Sequence, residues 1–222
     1  MGYAFSSGTL ATLQASMLAP NLRLVDTLLQ QRARDMLDAR YPRGFLELVP
    51  EMEQIELVSD NLAMLRSRGI YEEALLLALT APERSLRHVP LSRLRKLLRV
   101  ADRRRLRAAG MPIPGRGPYV LYRGVAGEPE WVRRERGISW TSKREIAAWF
   151  ARRSPDLKDP AVYQVTVEKK SVLAYWNERG EDEYLVDLPR TLTLHRLPWG
   201  PVQLKSLAGL YKPDTFDHDA KV

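Results

Sequence analysis

The sequence predicts an α+β protein: an N-terminal helical region followed by a small strand-rich one. Three observations lead there. Over residues 9–109 apolar side chains recur three and four apart, the helical period. At 111–118 the run MPIPGRGP breaks that pattern with three prolines and two glycines. Beyond it, short β-branched and aromatic segments alternate with polar turns. The 222 residues suit one large domain or two small ones. The division read from the pattern is 1–110 helical, 111–118 loop or linker, 119–210 β-rich core and 211–222 tail.

Each element has a local reason. Residues 9–39 carry Leu10, Leu13 and Met17, then Leu22, Leu24, Leu28 and Leu29. Pro20-Asn21 separates two helices there, with Asn21 as cap of the second. Tyr41-Pro42-Arg43-Gly44 reads as a turn. Residues 45–80 are helical, with Leu62, Leu65, Leu75, Leu76 and Leu79 as core, Ser59 or Asp60 as a cap and Gly69 as a stop. Pro82 and Pro90 bracket a connector. Residues 92–109 read as one basic amphipathic helix whose apolar residues are Leu94, Leu97, Leu98, Val100 and Leu106, ended by Gly110. Strands are expected at 119–122, 139–141, 161–167, 172–175, 184–188 and 191–197. A helix is expected at 143–153, with Ala147, Ala148, Phe150 and Ala151 available for burial.

Composition narrows the function classes. Apolar content of 45% is ordinary for a globular chain. No run approaches the ~18 apolar residues of a membrane span, and the first residues lack the charged start of a secretory signal. A soluble cytoplasmic protein is therefore expected, of the producing or a target cell, without a membrane partner. There is no cysteine and there are three histidines, so neither a disulfide framework nor a metal site is expected. Net charge is +8 and the sequence pI about 9.8, a balance that favours polyanionic partners. Residues 83–107 hold nine arginines and one lysine against Glu83 and Asp102, so this stretch carries most of the excess. Arg93, Arg95, Arg99, Arg103, Arg104 and Arg107 are the candidate contacts to nucleic-acid phosphates, or to an acidic inhibitor or antitoxin. A solvated helix face whose arginine stems cover apolar surface explains the same residues.

The second half carries three segments with chemistry in them: LYRG ending at Gly124, GISWTS ending at Ser142, and EDEYLVDLP ending at Pro189. They offer Arg123, the hydroxyls of Ser139 and Thr141, and the carboxylates of Glu181 and Glu183 at a strand start. A fixed carboxylate stabilises an oxocarbenium-like sugar at a transition state. A guanidinium holds a diphosphate, a hydroxyl fixes a carboxylate rotamer, and a second carboxylate accepts a proton from an incoming nucleophile. Taken one at a time, the segments also fit a surface arginine, ordinary strand hydroxyls and a solvated acidic turn. Trp149 and Phe150, like Trp131 and Trp199, read as packing residues, and His195 as a strand histidine without a catalytic part.

The order and wording of the three segments, over about 119–189, resemble the R-S-E class of ADP-ribosyltransferases, the cholera-toxin-like group that cleaves NAD. The resemblance implies a small split β-sandwich of ADP-ribosyltransferase type, with some N-terminal helices as its helical lobe. It implies NAD as co-substrate and no metal. It assigns Arg123 to the NAD phosphates, Gly124 to the nicotinamide amide through its backbone, Ser139 to the orientation of the catalytic glutamate and Thr141 to the strand motif. Glu183 becomes the catalytic glutamate on the nicotinamide ribose and Glu181 the substrate-facing acid, with the turn at 176–180 recognising substrate. The activity implied is mono-ADP-ribosylation of a macromolecular acceptor, protein arginine or nucleic acid, with NAD glycohydrolysis as a side reaction. A toxin, phage or phage-defence effector suits such an enzyme. The competing expectation is a non-enzymatic, basic nucleic-acid-binding protein with a C-terminal β interaction module.

Overall fold

The computed structural model describes residues 18–81, 86–128, 134–154, 156–189 and 191–198. The expectations for 9–17, Pro82, Trp131, Trp199 and the 211–222 tail lie outside the described residues. The chain divides into two compact units, Met1–Ile113 and Pro114–Val222. Seven α-helices are described in the first, and six strands with one α-helix in the second, so the fold is mixed α+β.

The first unit contains α1 (Gln30–Asp38), α2 (Pro42–Leu46), α3 (Gln54–Asp60), α4 (Leu62–Arg68), α5 (Tyr71–Thr80), α6 (Leu91–Val100) and α7 (Arg103–Ala109). Helix α5 is apolar on most of its surface. Tyr71, Ala74, Leu75, Leu76, Ala78 and Leu79 are all at most 1% exposed, which makes it the helix the others surround. Gly69 ends α4 in the left-handed conformation, φ +75°, as a glycine stop does.

Ser59 and Asp60 lie inside α3 and cap no helix, and of the strand expected at 191–197 only His195–Arg196 forms. Three further local expectations need correction. Leu22 and Leu24 are not helical. Asn21 caps no α-helix; its backbone N–H donates to Asn61 Oδ1 at 2.7 Å, and Asn61 Nδ2 donates back to the Asn21 carbonyl at 2.8 Å. A short 3-10 turn at Thr27–Leu29, capped by Asp26, leads into α1 instead. Pro42 opens helix α2 at its first position, where its missing N–H costs nothing, so 41–44 is a helix start rather than a free turn.

The third correction concerns the basic stretch, which forms two helices rather than one. Ala101 and Asp102 are extended between α6 and α7. Asp102 caps α7, its carboxylate accepting from Arg105 N at 2.9 Å, worth about 1 kcal/mol. The buried Glu72 fixes the break from α5: its Oε1 accepts from Asp102 N at 3.0 Å and its Oε2 lies 3.3 Å from Arg105 Nε. Leu94, Leu97, Leu98 and Leu106 are buried as expected. Arg99, Arg103 and Arg104 are exposed, whereas Arg93, Arg95 and Arg107 are half-buried.

The second unit is built on a six-stranded sheet, every pair antiparallel, in the order β4-β5-β2-β1-β3-β6. Its strands are β1 (Tyr119–Val125), β2 (Ser139–Thr141), β3 (Ala161–Val167), β4 (Val172–Trp176), β5 (Glu183–Val186) and β6 (His195–Arg196). Helix α8 (Arg144–Arg152) packs its alanines on the sheet. Ala147, Ala148 and Val162 form a buried cluster against which Tyr122 and Leu197 pack. Trp149 and Phe150 are half-buried and stack edge to face, centroids 5.0 Å apart, beneath Arg153.

Candidate active site

Strand order decides which sequence-distant residues meet. β2 lies between β1 and β5, so the serine segment sits between the arginine segment and the paired glutamates. On β2 and β5, Ser139 stands opposite Leu185, Trp140 opposite Tyr184 and Thr141 opposite Glu183. Side chains alternate along a strand, so Ser139, Thr141 and Glu183 share one face and Trp140 and Tyr184 the other. The second face is aromatic core: Trp140 is 2% and Tyr184 3% exposed, and Tyr184 lies 4.9 Å from Tyr175 and 5.3 Å from Tyr119, centroid to centroid.

On the first face, the Ser139 hydroxyl donates to Glu183 Oε1 at 2.5 Å, the length of a charge-assisted hydroxyl–carboxylate bond. Glu183 is 4% exposed. Arg123 on β1 donates from Nη1 to the Ser139 carbonyl at 2.6 Å and from Nε to the Arg134 carbonyl at 3.3 Å. It therefore reaches the pair through the main chain of β2: Tyr122, not Arg123, stands opposite Thr141, so alternation sets Arg123 on the face of Trp140 and Tyr184. Gly137 makes room for that guanidinium: a Cβ there would lie 2.3 Å from Arg123 Cζ.

Gly124 has a packing role. A Cβ at this position would sit 1.6 Å from the Ala147 carbonyl oxygen, so only glycine lets α8 lie this close to β1.

Glu181 precedes β5. Its carbonyl accepts from the Thr141 hydroxyl at 2.6 Å, and the same hydroxyl accepts from Lys143 N at 3.1 Å. Thr141 thus links β2, the start of α8 and the turn that bears Glu181. The Glu181 carboxylate is held by Arg179, Nη2 to Oε2 2.7 Å, and the same nitrogen lies 3.7 Å from Glu183 Oε2.

Sequence reasoning missed Arg179 and the residue between the two glutamates. Asp182 has a positive φ of 47°, and this conformation turns its side chain into a network. Tyr175 OH donates to Asp182 Oδ1 at 2.6 Å, Ser142 Oγ to Oδ2 at 3.1 Å, and Lys143 Nζ lies 3.4 Å from Oδ2. Burial pushes the Asp182 carboxyl up, but the bonds from Tyr175 and Ser142 and the Lys143 ammonium outweigh it and hold the group below the usual carboxylate range. Burial, then the bond to Asp182, raises the Tyr175 phenol. Burial, with the Asp182 charge and Tyr119, pushes Tyr184 up to about 12. Asn177 Oδ1 accepts from Asp182 N at 2.8 Å, and Lys143 Nζ donates to the Gly180 carbonyl at 2.7 Å. The 177–182 turn is thereby tied to both ends of itself and to the start of α8. Signals for it were present in Asn177, Gly180 and Asp182, residue types that favour turns and positive φ.

A scan of protein-family models, a search of curated proteins and a search of solved structures each return no match for this chain. Among the described residues, no group of three or more His, Asp or Glu is placed to hold a metal ion. No described helix is long and apolar enough to cross a membrane.

The arrangement can hold two carboxylates of unequal surroundings side by side. Glu183 is buried and fixed by a hydroxyl; Glu181, with its side chain 15% exposed, is held by a guanidinium. Such inequality is what divided electrostatic and proton-accepting roles require.

Proposed function

We propose that the chain is an NAD-dependent mono-ADP-ribosyltransferase whose second unit is a fold of ADP-ribosyltransferase type. The observation that carries this reading is the 2.5 Å Ser139–Glu183 bond. It joins two residues 44 positions apart, with Arg123 bonded to the Ser139 carbonyl. In this reading Glu183, its rotamer locked by Ser139, faces the nicotinamide ribose and stabilises positive charge developing at C1′. The C1′–nitrogen bond breaks and its electron pair leaves with nicotinamide. The acceptor nucleophile bonds C1′ and gives its proton to Glu181. Arg123 supplies the positive charge for the diphosphate. The acceptor is a macromolecule, protein arginine or nucleic acid, and water competes as the glycohydrolase reaction. A toxin, phage or phage-defence context rests on analogy with the family that the motifs resemble.

A nucleic-acid acceptor draws support from the exposed Arg99, Arg103 and Arg104 on α6 and α7. The deciding experiment is incubation with NAD labelled in the adenylate moiety and a whole-cell lysate, followed by protease and nuclease digestion. Label in an RNA, DNA or protein fraction, absent with Glu183→Gln, is the expected result. Equal labelling by both proteins sinks the reading.

A further inference from the structure

The chain presents a guanidinium of its own to the two glutamates. Arg179 lies two residues before Glu181, in the turn between β4 and β5. One nitrogen, Nη2, is 2.7 Å from Glu181 Oε2 and 3.7 Å from Glu183 Oε2, and the Arg179 side chain is 22% exposed. The turn that carries it is pinned at several points. Gly180 has φ +71° and Asp182 φ +47°; Lys143 Nζ holds the Gly180 carbonyl, Thr141 the Glu181 carbonyl, and Asn177 the Asp182 N–H. The guanidinium is thus placed beside the carboxylates by the fold, not brought there by diffusion.

The geometry points to Arg179 as an acceptor in cis, modified by the chain's own ADP-ribosyl transfer. This inference rests on the function proposed above. A protonated guanidinium is a poor nucleophile, with a pKa above about 12, so attack needs a base at the N–H that reacts. Glu181 Oε2 stands at hydrogen-bond distance from that N–H. Carboxylate contact at one nitrogen is the arrangement general-base catalysis asks for. In the transfer, the bond from ribose C1′ to the nicotinamide nitrogen breaks, and its electrons leave with nicotinamide. Arg179 Nη2 bonds C1′, and its proton passes to Glu181 and then to water. Each ADP-ribose added releases one nicotinamide, and holding the reactants together in one chain removes the need for encounter. The adduct carries a diphosphate into the space beside Glu181 and Glu183. Modification at Arg179 therefore opposes further turnover and limits itself to one group per chain.

The test uses the full chain and NAD alone. Intact-mass measurement should show addition of one ADP-ribose, and fragmentation of the peptide spanning Arg179 should place it on that side chain. The fraction modified against time should be unchanged over a tenfold range of protein concentration, as an intramolecular step requires. Arg179→Lys should lose the adduct from this peptide. An adduct confined to another residue, or a rate proportional to protein concentration, overturns the inference. So does an equal yield on Glu183→Gln, which marks non-enzymatic glycation. No adduct with NAD alone, but Glu183-dependent label on a lysate component, overturns self-modification and leaves the proposed activity standing. No adduct and no Glu183-dependent label anywhere overturns both.

Discussion

Ser139 and Glu183 are diagonal neighbours on paired strands, and the serine hydroxyl closes that diagonal onto Oε1 at 2.5 Å. A hydrogen bond to a charged group is worth about 1.5–3 kcal/mol. Here its effect is to restrict a carboxylate to one rotamer. Ser139→Ala should lower kcat by about tenfold or more on that scale, with a smaller change in KM, and Ser139→Thr should restore part of it. Glu183→Gln keeps the shape and removes the charge. It should reduce both NAD hydrolysis and transfer by roughly 10²–10³ or more. Nicotinamide release, with circular dichroism to verify folding, measures both effects.

The second glutamate should behave differently. Glu181→Gln is expected to spare hydrolysis of NAD by water and to impair transfer to the acceptor. The two rates, taken on one preparation, give a ratio. A ratio equal to that of the unsubstituted protein sinks the role of Glu181 as the substrate-facing acid.

Asp182 predicts an acid limb of stability. Its folded-state pKa is lowered, so its contribution is present above the ordinary carboxyl value of about 3.9. It is lost as pH falls through the lower folded-state value. Asp182→Asn keeps a residue type tolerant of positive φ and removes the titrating group. Its melting temperature should fall at pH 6 but differ less from the unsubstituted protein at pH 2.5. A difference that stays constant between those pH values counts against the network seen around this carboxylate.

The exposed arginines of α6 and α7 give a separate prediction. Changing Arg99, Arg103 and Arg104 together to Glu should weaken RNA or DNA binding. Every phosphate that these arginines no longer neutralise should flatten the log–log salt slope by about one unit. Affinity measured against salt for both proteins decides it. An unchanged slope identifies a solvated face and no more.

Much of this arrangement was legible before the structure. Strand β2, helix α8 and strand β3 follow from short, cleanly patterned segments, and Leu94, Leu97, Leu98 and Leu106 are buried as their spacing predicts. The Ser139–Glu183 encounter was legible only as a pattern of residue types in order, because register between strands 44 residues apart is not a local property. The break at Asp102 was hidden because the helical period runs through it. What fixes the break is Glu72, 30 residues away. Arg179 was missed for a related reason: its position depends on the left-handed backbone at Gly180 and Asp182, and nothing in the spacing alone aims it at Glu181. The reading of Gly124 as a residue that shows its backbone to a ligand missed the demand of the Ala147 carbonyl behind it.

That close approach makes β1 answerable to two neighbours at once. Tyr122 packs on the cluster beneath α8, Gly124 meets Ala147, and Arg123 between them bonds the main chain of β2. Alternation along the strand puts Arg123 on the reverse side from Tyr122 and Gly124. Helix and guanidinium are therefore coupled by one residue of rigid backbone. A single methyl at 124 has nowhere to go but into the helix, at about 1–3 kcal/mol or more, and the strand that recoils from it carries the arginine along. Gly124→Ala should accordingly register as a lower melting temperature together with a disturbed grip on Ser139. The position works as a mechanical stop that sets how deep the arginine reaches.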